Sequence, residues 1–93
     1  EFDDPEIRRA VKEVAINDAY PLEIRIKAIE KLADVSDETV IPSIIPILSD
    51  YNQYKLHQAV IETIKKLGQY DNYEQEIRRR IFEAHQKASI INE

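Results

Sequence analysis

The chain has 93 residues, a formal net charge of −5 and no cysteine. This length supports one small domain with one core, and the lack of cysteine excludes disulfides and thiolate metal sites. The acidic balance disfavours binding to nucleic acid through a basic face, and no apolar run is long enough to span a membrane. We expect one cytoplasmic domain over residues 3–93. Because residue 1 is not methionine, we also expect a fragment or a processed chain, with Glu1 and Phe2 as a cloning remnant.

Two helices are predicted in the first third of the chain. Asp4 as N-cap and Pro5 as the first helical residue are a start signal for the first helix. Pro21 starts the second helix, which extends to about residue 34. Apolar residues at a helical period predict the buried faces. They are Ile7, Val11, Val14 and Ala15 in the first helix, and Leu22, Ile26, Ala28, Ile29, Leu32 and Val35 in the second.

A second helical hairpin is predicted to follow and to end at Gly68, the only glycine of the chain. Ser36 and Asp37 offer side-chain oxygens that can cap its first helix. Pro42 lies in the first turn of that helix, whereas Pro46 lies deeper and should bend it. Gly68 occupies the position of a left-handed C-terminal cap. The predicted core between the two hairpins consists of Ala28, Ile29, Leu32, Ile44, Leu48, Val60, Ile64 and Leu67.

A long fifth helix is predicted from about Asn72 to Ile91. Asn72 and Gln75 have the spacing of a capping box, and an apolar stripe follows at a helical period. The predicted stripe contains Ile77, Ile81, Ala84, His85, Ala88 and Ile91. This helix is expected to begin a third unit, or to cover the open flank of the helices before it.

The two hairpins align with each other in sequence. Moving residues 22–36 forward by 32 positions places them on residues 54–68, and the first helices align at an offset of 33. We interpret residues 5–36 and 37–68 as two copies of one repeat. The alternative is that any two amphipathic helices align in this way, since both have a period of about 3.6 residues. The aligned pairs include Asp18 with Asp50, Ile24 with Leu56, Ala28 with Val60 and Leu32 with Ile64.

Both copies carry parts of one pattern, in which a proline in the first helix is followed by an aspartate at the turn and by an apolar and a basic residue that open the second helix. It consists of Pro42, Pro46, Asp50, Leu56 and His57 in the second copy and of Asp18, Ile24 and Arg25 in the first. This pattern resembles HEAT or HEAT-like repeats of the PBS-lyase type. The resemblance implies an all-α fold. In that fold an α-α superhelix forms a short HEAT-like solenoid of about five helices, with two helical hairpins and a C-terminal helix over residues 72–91 in a right-handed stack.

The sequence departs from the family pattern at three points. The first copy has no helix proline, His57 stands where the family usually has a basic residue, and both turns are one residue longer than in the commonest form. Asp18 and Asp50 are each predicted to accept a backbone amide within about four residues, because carboxylates at turns bind nearby backbone donors.

The resemblance implies a non-catalytic module that binds a protein partner or serves as a scaffold. In such repeats the second helices line the concave face, and their polar positions are the candidate contacts. The candidate partner-binding residues are Lys27, Lys31, Gln58, Glu62, Lys65 and Lys66. One alternative is a nucleic-acid-binding domain that uses Arg25, Lys27, Lys31, Lys65, Lys66 and Arg78–Arg80. Another is a non-catalytic piece of a HEAT-like lyase.

No motif in the chain predicts catalysis, a metal site or a cofactor. The two histidines, His57 and His85, lie on different predicted helices, and a zinc site needs three or four well-placed ligands. His85 is interpreted as a core residue and His57 as a structural one. The run Arg78–Arg80 is either a binding patch or a solvated helix face paired with nearby glutamates, as the helical spacing allows. We therefore expect no catalytic residue, no bound metal and no cofactor.

Overall fold

The computed structural model describes residues 4–34, 38–50 and 54–91. The described part is all-α and contains no strand, which confirms the predicted fold class. Two 3-10 segments, Glu38–Val40 and Ile45–Ser49, flank the short third α-helix. The α-helices are α1 (Pro5–Ile16), α2 (Leu22–Leu32), α3 (Ile41–Ile44), α4 (Tyr54–Lys66) and α5 (Tyr70–Ile91).

The helix ends at Asp4 and Gly68 form as predicted. The carboxylate of Asp4 accepts the backbone amide of Glu6 at 2.8 Å and caps α1, and Pro5 is its first residue. Gly68 has a φ of 73°, the left-handed conformation that glycine adopts without a steric penalty. Both predictions could be made from local sequence, because a helix cap depends mainly on the residues next to it.

The predicted third helix is not one continuous α-helix. The amide of Ile45 donates to the carbonyl of Ile41, and the 3-10 segment Ile45–Ser49 begins at this point. Pro46 has no amide to donate, and in an α-helix its ring would clash with the carbonyl of Pro42. Pro46 lies in the first turn of the new 3-10 segment, where a residue without an amide is tolerated. At Pro46, therefore, the helix changes type.

Contacts between helices follow the order of paired hairpins. Helix α1 packs against α2, and the 3-10 segment Ile45–Ser49 packs against α4. Between the hairpins, α1 contacts α3 and α2 contacts α4. Helix α5 packs mainly on Ile45–Ser49 and also touches α4. The Cα atoms extend over 48 × 30 × 15 Å, a flat and elongated shape.

The predicted core is confirmed at seven of its eight positions. Leu67 is only partly buried and packs against the cluster. The hydrophobic cluster joins α1, α2, the third helix, α4 and the start of α5. Its fully buried large members include Ile29, Leu32, Ile41, Ile44, Leu48, Leu56, Ile64 and Ile77.

Two positions in the first hairpin correct the predicted burial, and a third corrects the sequence alignment. Ile7 and Leu22 were assigned to buried faces but are exposed. Ile24 is 47% exposed, although the sequence alignment pairs it with Leu56, which is fully buried. Burial in α2 and α4 matches at an offset of 31 instead of 32. At that offset the buried pairs are Arg25 with Leu56, Ile29 with Val60 and Leu32 with Thr63.

The start of α5 also differs from the prediction. The helix begins at Tyr70, so Asn72 lies in its first turn and cannot be its N-cap. The side-chain amide of Asn72 donates instead to Gln69 Oε1 at 2.6 Å, and the predicted capping box is wrong. His85 is exposed. The assignment of His85 to the core failed because position 85 lies toward the edge of the apolar stripe.

Several predictions concern residues that are not described. Ser36 and Asp37, the proposed caps of the third helix, and Val35, a proposed core residue, lie outside the described residues. The side chains of Ala88 and Ile91 do as well.

Candidate interaction groove between α2 and α4

A surface groove of about 800 Å³ runs between the second helices of the two hairpins. Four of the six candidate partner-binding residues line it, and these are Gln58, Glu62, Lys65 and Lys66. Lys27 lines a smaller adjoining depression of about 320 Å³, and Lys31 lines neither. The structure therefore brings most of the predicted site together. The remaining lining residues of the groove are Ile26, Glu30, Ala33, Lys55, Ala59 and Thr63.

The base of the groove follows from the packing of α2 on α4. Thr63 is buried, and its hydroxyl donates to the carbonyl of Ile29 at 3.4 Å, which links the two helices. Ile26, Ala33 and Ala59 are partly buried and give the groove an apolar floor. An apolar floor with polar groups at the rim is the usual composition of a binding site.

Two interactions position lysines at the C-terminal end of the groove. Lys66 Nζ lies 3.1 Å from Asp34 Oδ1, so the pair connects the ends of α4 and α2. Both side chains are more than half exposed, at 62% and 57%, and such a pair adds little stability. Lys65 Nζ lies 5.2 Å from the ring centroid of Tyr70, within the range of a cation–π contact. Both lysines also line the groove.

Arg25 is buried inside the first hairpin and is no part of this surface. Only 4% of the residue is exposed, and its Nε donates to the carbonyl of Ala15 at 3.0 Å. His57, its counterpart in the sequence alignment, contacts the carbonyl of Asp50 through Nε2 at 2.7 Å. Both side chains thus bind a backbone carbonyl near the end of the preceding helix. This agrees with the structural role expected for His57, and it removes Arg25 from the candidate nucleic-acid contacts.

The run Arg78–Arg80 is paired with glutamates on the same helix. Arg78 Nη2 lies 2.7 Å from Glu74, Arg79 Nη1 lies 3.0 Å from Glu83, and Arg80 Nε lies 3.0 Å from Glu76. The hydrogen bonds that Arg78 donates to the carboxylate of Glu74 raise the pKa of Arg78 above its ordinary value. Arg80 also donates to the hydroxyl of Ser49 at 3.2 Å, which ties α5 to the 3-10 segment before it. The run is therefore a solvated helix face with one structural contact.

The predicted role of the turn aspartates fails for Asp18. At that turn the side-chain oxygen of Asn17 accepts the amide of Ala19 at 2.9 Å. Among the described residues, the Asp18 carboxylate has no such partner. The test for Asp50 depends on the amides of residues 51–53, which are not described.

Lys55 and the apolar floor were not predicted from the sequence. Lys55 lies three residues before Gln58 and seven before Glu62, so a helical period places it on the same face. That spacing was visible in the sequence. The burial of the floor residues was not visible in the sequence. Ala33 and Ala59 are small, and they line the groove only when the two helices pack together.

Comparisons of the chain with protein-family models, with curated proteins and with solved structures gave no match. Within the described ranges, no group of three or more His, Cys, Asp or Glu side chains is arranged to hold a metal ion. No described helix combines the length and apolar character needed to cross a membrane.

Proposed function

We propose that the chain is a non-catalytic protein-interaction module whose docking site is the groove between α2 and α4. The observation that carries this proposal is the groove itself, with an apolar floor and a rim of both charge signs. A rim of mixed sign suits a protein partner, since a nucleic acid would require a mainly basic surface. Burial of Arg25 and the pairing of Arg78–Arg80 further reduce the basic surface available.

The HEAT-like interpretation is part of this proposal. Its support is the order of contacts, in which α1 touches α3 and α2 touches α4. Stacked hairpins of this kind present their second helices as an extended surface for partners. We place the module in the cytoplasm as a scaffold, which is compatible with a chain that contains no cysteine.

Site-specific photocrosslinking tests the docking site. A benzoyl-phenylalanine residue placed at Gln58, on the groove rim, is expected to crosslink a distinct protein in extracts of the source cells. The same residue at Lys87, which is exposed on α5, serves as the control. Crosslinked species that are the same from both positions, or that form only from Lys87, would contradict the groove as the docking site.

A further inference from the structure

The charges on the groove rim have a fixed order along the two helices. On α4 a lysine, a glutamate and another lysine follow each other as Lys55, Glu62 and Lys65. At the helical rise of 1.5 Å per residue, Lys55 and Glu62 are about 10 Å apart along the axis, and Glu62 and Lys65 about 5 Å. The rim is therefore positive at both ends and negative between them.

A second carboxylate faces the groove from α2 near the level of Glu62. The hydrogen bond between Thr63 and Ile29 shows that these two residues lie at the same height along the two helices. The ion pair between Lys66 and Asp34 shows the same for a position closer to both C-termini. Both contacts advance toward the C-terminus on each helix, so α2 and α4 run parallel. Glu30 and Glu62 are each one residue from the Thr63–Ile29 contact, and both line the groove. They therefore form opposite walls of its central part.

A partner that fills this groove has to match these charges. Within the described part of the chain, Glu30, Glu62 and Lys55 form no ion pair. Docking would remove water from them, and a desolvated charge without a partner of opposite sign is costly. We propose that the groove binds an extended peptide segment with a basic side chain in the middle and acidic side chains on both sides. This inference rests on the groove being the docking site.

The spacing of the charges on the rim corresponds to a short peptide segment. The 10 Å interval corresponds to about three residues of extended chain and the 5 Å interval to one or two, at about 3.3 Å per residue. Because the two intervals differ, the peptide should bind in one direction only. The acidic side chain farther from the central basic residue then lies beside Lys55, and the nearer one lies beside Lys65.

Two peptides of identical composition test the charge order. The probe has nine residues, with a central lysine, a glutamate three residues before it, a glutamate two residues after it, and alanine and leucine at the other positions. The control peptide contains the same residues with the lysine moved to the amino terminus. In a titration of isotope-labelled protein followed by NMR, we expect shifts at the amides of Ala33, Ala59 and Thr63. The probe should bind about three- to fivefold tighter than the control peptide, since one partly exposed ion pair contributes up to about 1 kcal/mol.

Variants of Glu62 test whether its carboxylate causes the preference for the probe. Glu62→Gln should reduce the preference for the probe, since Glu30 on the opposite wall still faces the central lysine. Glu62→Lys should abolish the preference, because the new ammonium group offsets the charge of Glu30. Glu13→Lys, on the exposed face of α1, is the matched control and should change nothing. Circular dichroism of each variant establishes that the helices are retained.

The outcomes separate the two proposals. Equal groove shifts from the probe and the control peptide would overturn the charge order and leave the groove as a docking site. Shifts confined to other surfaces, or no shifts with any peptide, would overturn the charge order. If Gln58 also failed to crosslink, the docking site itself would be overturned.

Discussion

Arg25 is a structural residue, although the sequence offers it as a surface cation. Its Nε donates to the carbonyl of Ala15 in the last turn of α1, where carbonyls have no partner within the helix. A cation near a helix C-terminus is also favoured by the helix dipole. The guanidinium thus satisfies a buried acceptor and joins α1 to α2. Sequence periodicity did not predict the burial of Arg25, because the neighbouring Ile24 is apolar and is the residue that the pattern would place in the buried position.

Replacing this guanidinium should destabilise the whole chain. Arg25→Met replaces the aliphatic part of the side chain but leaves the carbonyl of Ala15 without its donor. Loss of a buried hydrogen bond to a charged group costs about 1.5–3 kcal/mol, and urea unfolding should show a loss of this size. Arg9→Met, at an exposed position of α1, should stay within about 0.5 kcal/mol. Equal losses for the two variants would show that the Arg25 contact contributes nothing specific.

The ends of the helices show how far local sequence specifies an element. The C-terminus of α4 forms a Schellman motif, in which the amide of Gly68 bonds to the carbonyl of Lys65 at 2.9 Å and that of Gln69 to Ile64 at 3.1 Å. A single glycine was enough to predict this end. The start of α5 was predicted two residues late. Asn72 resembles an N-cap in sequence, but the Schellman turn leads directly into the helix at Tyr70.

Gly68 should be costly to replace for conformational reasons alone. A Cβ added at this position would meet no atom within 4 Å, so the expected cost of Gly68→Ala comes from its left-handed backbone. That cost is about 1–2 kcal/mol, measured as a decrease in the free energy of unfolding in urea. Asparagine tolerates the left-handed region better than alanine, and Gly68→Asn should therefore cost less. The opposite order of the two variants would be incompatible with this explanation.

At the scale of the whole molecule, the sequence predicted the set of core residues better than their register. Ile29, Leu32 and Ile64 recur at a helical period and are buried as expected. The offset between α2 and α4 was wrong by one residue, because Ile24 and Leu56 are both apolar and sequence alone cannot show which is exposed. The groove needs both helices in place, so its floor and its parallel walls were beyond prediction from either helix.

Helices α2 and α4 must form one packed body, since the groove exists only between them. Native-state hydrogen exchange of Ile64→Ala tests this directly. Truncation of a fully buried isoleucine costs about 2–5 kcal/mol. If the two hairpins share one core, the most protected amides of α2 and α4 should lose the same amount of protection. Loss confined to α4 and α5, with α2 unchanged, would contradict the shared core and with it the groove.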